Sequence, residues 1–436
     1  MKQTLVNAWT ADDARTAWLA PSAETALPPT ERGPADSDAA EQLELEVVED
    51  ADLLKGEILL HLEALQLPVD RDTSDGISKG AIRGSHARQR LAVFHREIAH
   101  LRPKAGALLQ RFANGADVDP KAIKPRLVPV SSDTDEADLF RLATLLWSVP
   151  VSRGYGRRMR YLVVDDQNDK LIGLFALGDP VFNLRARDAW IGWDAEQRRQ
   201  RLVAVMDAFV LGAVPPYSNL LGGKLVASLI GSAEVVSAFE AKYGGSTGII
   251  SQKAKHARLA LVTTTSSLGR SSIYNRLVLR EDPADAKSKV LVHLDRIGMT
   301  SGYGHFQLSD ELFSRLKNVL RQAGHPYVKQ NRYGQGPNWR IRVIRVGLEH
   351  LGLDQNLLRH GIAREIYAMP IAANAREYLR GEAAEPIIEP RPVTVIAEAA
   401  INRWMVKRAQ NSTKWKEASR ADLLHLLGLS STGGLT

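Results

Sequence analysis

The chain of 436 residues contains no cysteine. That excludes disulfides, thiolate zinc sites and cysteine nucleophiles, and it suits a reducing cytosol. No run of about 18 apolar residues occurs, the length a membrane-spanning helix needs. The N-terminus lacks a basic start followed by an apolar stretch, so no secretory signal is expected and the protein is placed in the cytoplasm. No H-x-x-x-H or H-E-x-x-H spacing is found, which speaks against histidine-bound zinc. There is no Walker loop, no dinucleotide fingerprint after a strand, and no internal repeat of fixed period.

What is present is an uneven charge. The net charge is +7, but residues 1–50 carry eleven acidic and three basic side chains, a balance of −8 that leaves +15 on the rest. A basic body behind an acidic leader suits a polyanionic partner, DNA or RNA. Residues 1–50, with Pro21, Pro28, Pro29 and Pro34 among Ala, Glu, Asp and Ser, are expected to be a disordered leader. A helical N-terminal region is expected over 51–135, a central α/β domain over 136–300 and a helical C-terminal region over 301–430.

Within these, the spacing of Leu91, Phe94, Ile98 and Leu101 predicts one helix, and Asp133 or Thr134 caps another running to Leu146. Residues 116–134 read as an extended linker. Arg160–Val164 and Leu171–Leu177 read as a hairpin, with further strands at 258–263 and 289–294. Helices are expected over 194–211 and about 223–239, then over 309–323, 338–352, 357–368, 396–409 and 420–428. The fold class is therefore α/β (α+β): a central mixed sheet with flanking helices and helical ends.

Between Trp147 and Arg276, glycines and cations are dense. Arg153, Tyr155, Arg157, Arg158 and Arg160 stand close together with Gly154 and Gly156. Arginine forks phosphate and tyrosine stacks on bases, so these five are candidate nucleic-acid contacts, or else a solvated strand entry paired to carboxylates. Gly222, Gly223 and Lys224 precede a helix, where free amides attract phosphate; the plain alternative is a glycine turn that lets the helix pack closely. Arg270 joins them as a phosphate-binding candidate from the loop Leu268–Tyr274. Asp179, Asp207 and Tyr274 are the polar candidates for chemistry. Three carboxylates, Asp179, Asp188 and Asp207, can hold two metals for phosphoryl transfer, but Asp179-Pro180 suits a turn and Asp207 is expected mid-helix beside Arg201, so no metal is assigned. Arg340, Arg342 and Arg345 form a second basic cluster near Gly334–Asn338. Arg403, Lys407 and Arg408 form a third around Trp404, which is read as a core anchor. No cofactor is fixed by these residues.

Several of these segments carry a resemblance. Trp147–Ser152, Gly154–Arg158, Leu177–Leu184, Arg187–Trp193, Met206–Ala208, Leu211–Tyr217, Leu221–Leu225, Gly269–Leu277 and His360-Gly361-x-x-Arg364 are similar to the DruA family of the Druantia anti-phage defence system. The similarity spans about residues 85–410 and leaves the acidic leader unmatched. It implies a bacterial cytosolic protein tied to defence against phage, or to mobile elements and their DNA processing, but hands over no assigned active site; a protein acting on nucleic acid and a non-catalytic subunit that recruits other defence-system proteins both remain open. The hairpin, the glycine turn before a helix and the Tyr274 loop after a strand also resemble GNAT-type acyltransferases, including modifiers of DNA bases. On that likeness Gly222, Gly223 and Lys224 would cradle the pyrophosphate of acyl-CoA.

Overall fold

A computed structural model describes residues 50–64, 79–152, 154, 156–245, 257–282, 285–300, 308–325, 339–354, 357 and 363–427. Nearly all of the leader lies outside them, as do Arg153, Tyr155, Gly334–Asn338 and His360. The chain divides into two units, one built mainly from 69–301 and 362–436, the other from 16–68 and 302–361.

The larger unit holds a seven-stranded mixed sheet in the order β1-β2-β3-β4-β5-β9-β8. Its strands are β1 (Pro125–Pro129), β2 (Arg158–Asp165), β3 (Lys170–Gly178), β4 (Val205–Ala213), β5 (Leu261–Thr265), β8 (Asp295–Met299) and β9 (Glu365–Pro370); β6 (Val278–Arg280) and β7 (Val290–His293) form a separate ribbon. All neighbours in the large sheet run antiparallel except β4 and β5. The hairpin β2–β3 forms where expected, because its β-branched and aromatic residues fill both faces of a pleated layer. The helix Asp135–Leu145 also starts as expected, with the Thr134 side chain accepting from the Ala137 amide.

One face of the sheet packs beneath the helices Gly222–Leu229 and Val393–Ala400 through Met206, Ala208, Val262, Tyr367 and Met369. The other face is shared. Helices Ala87–Leu101 and Asp135–Leu145 cover β2 to β4, while Arg185–Ile191 and Ala375–Arg380 lie over Val205, Leu261 and Ala368. Among the described residues no helix is long and apolar enough to cross a membrane. The smaller unit packs helices Ala51–Ala64, Asp310–Gln322 and Trp339–His350 around Leu54, Ile58, Phe313, Leu316 and Ile344.

Four expectations are corrected. The helix over 194–211 ends at Arg201, and the chain enters β4 through one 3-10 turn. Apart from Asp207, Val205–Leu211 is apolar on both sheet faces, and such a run does not reveal its own period. The helix over 223–239 is two helices, Gly222–Leu229 and Ala233–Tyr243, parted at Gly231 and Ser232, where the Ala233 amide donates to Arg391 O at 2.9 Å. The linker 116–134 contains β1, whose prolines are tolerated because it is an edge strand. The helix over 357–368 gives way to β9, buried from Glu365 to Met369. The sheet thus draws strands from both sides of residues 136–300.

Candidate functional site

The parallel pair β4–β5 is short. Its register is Val205 to Leu261, Met206 to Val262 and Asp207 to Thr263, and there it stops. β4 continues beside β3 to Ala213, and β5 continues beside β9 to Thr265. A bulge in β4, between Ala208 and Val210 where β3 has the consecutive residues Leu177 and Ala176, accompanies the parting. Bulges bend a strand away from its neighbour and recur beside active sites. The result is a fork with Asp207 and Thr263 at its apex.

Side chains cross the opening. Thr264 donates to the Ala208 carbonyl at 2.9 Å, and the Tyr274 hydroxyl donates to the Leu211 carbonyl at 3.5 Å. Thr263 donates to the Asp207 carboxylate at 2.8 Å. Burial pushes the Asp207 carboxyl up to about 6, against the pull of Thr263 and of the Arg187 guanidinium. Burial likewise pushes the Tyr274 hydroxyl up to about 12, with Thr264 opposing and the charge of Asp207 adding. At neutral pH Asp207 is mostly ionised and Tyr274 protonated, the states of a proton acceptor and a proton donor. The Tyr274 ring meets Tyr367 edge-on at 5.5 Å, and Tyr367 donates to Glu365, which also accepts from Arg296 at 2.7 Å.

Beneath Asp207 lies an arginine with no solvent exposure. Arg187 donates twice to Asp188, at 2.9 and 2.6 Å, and to the carbonyls of Val181 and Phe182, each at 2.8 Å. Arg198 closes on Asp188 from the other side at 3.0 Å. Burial pulls the Arg187 guanidinium below its ordinary range, with Asp188 and Asp207 opposing.

A second constellation sits on β2. Arg158 and Arg160 alternate with Met159 and Tyr161, so they face the same side as Leu162 and Val164, the side covered by the Asp135–Leu145 helix. Arg160 is half-buried, and its guanidinium is pulled below the ordinary range by burial and by the charges of Arg158 and Arg141. Arg158 donates to the Gly154 carbonyl at 3.0 Å. Among the described residues no carboxylate pairs with Arg158 or Arg160, and Arg141 reaches Asp138 only at 3.7 Å. Three guanidiniums thus form a cationic rim with little counter-charge.

The remaining expected site residues are dispersed. Arg157 turns inward: it donates to Asp179 at 2.7 Å and to Val203 O at 2.7 Å and Val205 O at 3.2 Å, and stacks against Phe239 and Tyr243. Gly156 is required there, since its φ is +63° and a Cβ would fall 2.0 Å from the Asp179 carboxylate. Asp179 is therefore held as the partner of Arg157, one residue beyond Gly178, the β3 residue that pairs with Asp207. A Cβ on Gly222 would lie 2.6 Å from Tyr217 O, and one on Gly223 would lie 3.0 Å from Ile273 Cδ1. Both glycines permit close packing at the helix start. Lys224 donates to Ile273 O at 2.8 Å, while Arg270 is exposed on a loop anchored by the Glu365 amide to Gly269 O at 3.2 Å.

Asp207 and Tyr274 both lie beside the fork but on opposite faces of the sheet: Asp207 and Thr263 turn to the Arg187 side, Tyr274 and Thr264 to the side of Met206 and Ala208. Asp207 is on a strand rather than mid-helix, and its hydrogen-bond partner is Thr263 rather than Arg201, which lies over the Tyr378 ring. Reading the residues alone missed Arg187 and Arg141. An arginine followed by aspartate beside Trp190 and Ile191 was a signal for a buried pair. Arg141 is the single cation of an otherwise acidic and apolar helix. Among the described residues no cluster of three or more metal-ligating side chains occurs.

A mixed sheet forked at its parallel pair, with a perturbed carboxyl at the apex and a cationic rim, defines an α/β protein with a candidate site of its own. Residues 77–381 match the family described as Druantia protein DruA. A curated relative from Escherichia coli (strain UMEA 4076-1), also described as Druantia protein DruA, is 45% identical over 369 residues, covering 84% of this chain and 87% of the relative. The chain belongs to the DruA family, and with it to the components of Druantia anti-phage defence. No solved structure matches it.

Proposed function

We propose that this defence protein binds nucleic acid, DNA or RNA, through the rim of Arg141, Arg158 and Arg160, joined by Arg153 and Tyr155 of the same run. The observation that carries this reading is Arg160. A half-buried guanidinium held beside two like charges, with no carboxylate paired to it among the described residues, is unfavourable in the free protein. A phosphate backbone relieves that repulsion and forms charge-assisted hydrogen bonds. Filter binding of single- and double-stranded oligonucleotides at 50 and 200 mM salt tests it. Affinity is expected to fall by at least about tenfold between the two, because each neutralised phosphate releases counterions. Binding that is absent, or indifferent to salt, overturns the reading.

The fork favours a second, compatible activity: GNAT-like acyl transfer onto a nucleobase or protein, with Asp207 as base and Tyr274 as acid. Its support is the parallel pair β4–β5, which parts beside these two side chains and is followed by the Gly222–Leu229 helix. Lys224 and Arg270 would then take the anionic end of an acyl carrier, since Gly222 and Gly223 are closely covered. Calorimetry with CoA and acetyl-CoA decides it; no heat from either removes the acyl-transfer reading and leaves nucleic-acid binding standing.

A further inference from the structure

On the opposite face of the sheet, two segments distant in sequence assemble a second cationic surface. Residues 401–405 form one turn of π-helix that continues into the helix Val406–Asn411. Such turns are rare and recur at functional sites. This one presents Arg403 and Trp404 to the start of the Gly222–Leu229 helix. Lys224 Nζ lies 5.5 Å from the Trp404 ring centre, and the Arg403 guanidinium lies 5.8 Å from it. Burial and the proximity of Arg403 together pull the Lys224 ammonium below its ordinary range. Lys407 is exposed four residues beyond Arg403, on the same helical face. Arg408, also exposed, donates to Asn219 O at 3.4 Å, against the turn that leads into Lys224. Among the described residues no carboxylate pairs with Lys224, Arg403, Lys407 or Arg408. Between Asn219 and Lys224 the backbone of Leu221 holds a φ of +64° with its side chain 38% exposed, a left-handed conformation that a branched apolar residue adopts only at some cost.

Two cations flanking a half-buried indole and two more on the adjoining helix, none paired to a carboxylate among the described residues, make a surface for a strong anion. Trp404 is half-buried and packed against the core, with cations close to its ring, so the contact falls to the charges and not to base stacking. We propose that Lys224, Arg403, Lys407 and Arg408 form a second nucleic-acid contact that engages the phosphodiester backbone on the face opposite the Arg158–Arg160 rim. One protein then holds two stretches of nucleic acid, or one stretch that passes round the edge of the sheet. This rests on the nucleic-acid reading above, but on none of the same side chains.

The test compares full-length wild type with Arg403→Ala/Lys407→Ala/Arg408→Ala and with Arg158→Ala/Arg160→Ala, measuring duplex affinity across a salt series. Lys407→Glu alone serves as a surface variant with no packing to lose. If the proposal holds, the triple variant binds at least about tenfold more weakly, its salt slope is shallower by about two to three units, and Lys407→Glu moves the same way. If the triple variant binds like wild type while Arg158→Ala/Arg160→Ala is weakened, the second contact is overturned and the first stands. If wild type binds no nucleic acid, both fall. If the triple variant loses binding only to phosphatidylglycerol vesicles and keeps its duplex affinity, the surface belongs to lipid headgroups and the proposal is overturned.

Discussion

The fork at β4–β5 and the rim on β2 use the same residue type in opposite ways. At the fork, the Arg187 guanidinium has every direction filled by Asp188 and two carbonyls, and its field reaches Asp207. At the rim, Arg141, Arg158 and Arg160 crowd together with one distant carboxylate among them. The first arrangement is complete without a partner, and the second is complete only with one. The contrast recurs within a single run. Arg157 is consumed by Asp179 and two carbonyls, whereas Arg160, three residues on, is left among like charges. Counting arginines in a basic run therefore overstates how many face a ligand.

The sharpest way to break this comparison is Arg187→Met. Removing a buried guanidinium strands Asp188 with Arg198 alone and takes from Asp207 its nearest opposing charge. Breaking one partner of a buried pair costs about 3–5 kcal/mol. Urea unfolding should show a loss of that size, with nucleic-acid affinity of the folded fraction unchanged. A loss below about 1 kcal/mol would mean that the pair contributes little and that the fork is not the self-contained region described.

How much of this was legible beforehand follows from which residues announce their surroundings. The hairpin β2–β3 was legible because Tyr161–Val164 and Leu171–Leu177 leave no helical reading, and Thr134 declared a helix start by its position before an acidic first turn. β4 was not legible: apart from Asp207, Val205–Leu211 is apolar on both faces and follows the capped helix Ala195–Arg201 after a single 3-10 turn, so the two merged into one expected helix. β9 was hidden likewise behind Ile366 and Tyr367, which fit either period. The site followed the same divide. Asp207 and Tyr274 were marked by type, but their place beside the fork depends on a parallel pairing between β4 and β5 that no local pattern encodes. The buried state of Arg187 is signalled only by the apolar Trp190 and Ile191 beside it, because an arginine adjacent to an aspartate by itself looks the same on a surface as in a core.

Asp207→Asn probes the fork from the other side. The folded carboxyl titrates near 6, above its ordinary 3.8, so the folded state holds this proton more tightly than the unfolded state does. Stability from this group is then full below about pH 3.8, declines as pH rises through 6, and is flat above. Asparagine mimics the protonated form and still accepts from Thr263. The variant should exceed wild type in stability at pH 8 by up to about 3 kcal/mol, since each tenfold change in proton affinity is worth about 1.4 kcal/mol, and the gap should close toward pH 4. Denaturant melts at the two pH values check this; a gap that widens on acidification reverses the sign and refutes the assigned burial.

At the rim the expectation is inverted. Arg160→Ala removes a charge that its neighbours repel, so stability should stay within about 0.5 kcal/mol of wild type. The salt slope of nucleic-acid binding should become shallower by about one unit, the signature of a single lost phosphate contact. Arg157→Ala should do the reverse, lowering the thermal midpoint through the loss of Asp179 and two carbonyl bonds while leaving the slope as it was. Swapped outcomes would exchange the roles given to these two neighbours.

The smallest effect separates packing from ligand binding at the helix that follows β4. Gly223→Ala places a methyl 3.0 Å from Ile273 Cδ1, the mobile end of a flexible side chain. Crowding there is offset by the higher helix propensity of alanine, about 1 kcal/mol over glycine. The thermal midpoint should therefore move by no more than about 2 °C, on the scale set by a few tenths of a kcal/mol. If the glycine serves only the approach of Ile273, nucleic-acid affinity and any heat with CoA remain those of wild type. If instead a phosphate group rests on the Gly223 amide, the methyl displaces it, and ligand affinity collapses while the melt stays unchanged. A stable protein with lost ligand binding would return this helix start to the site, and a variant unchanged on both measures fixes Gly223 as a packing residue.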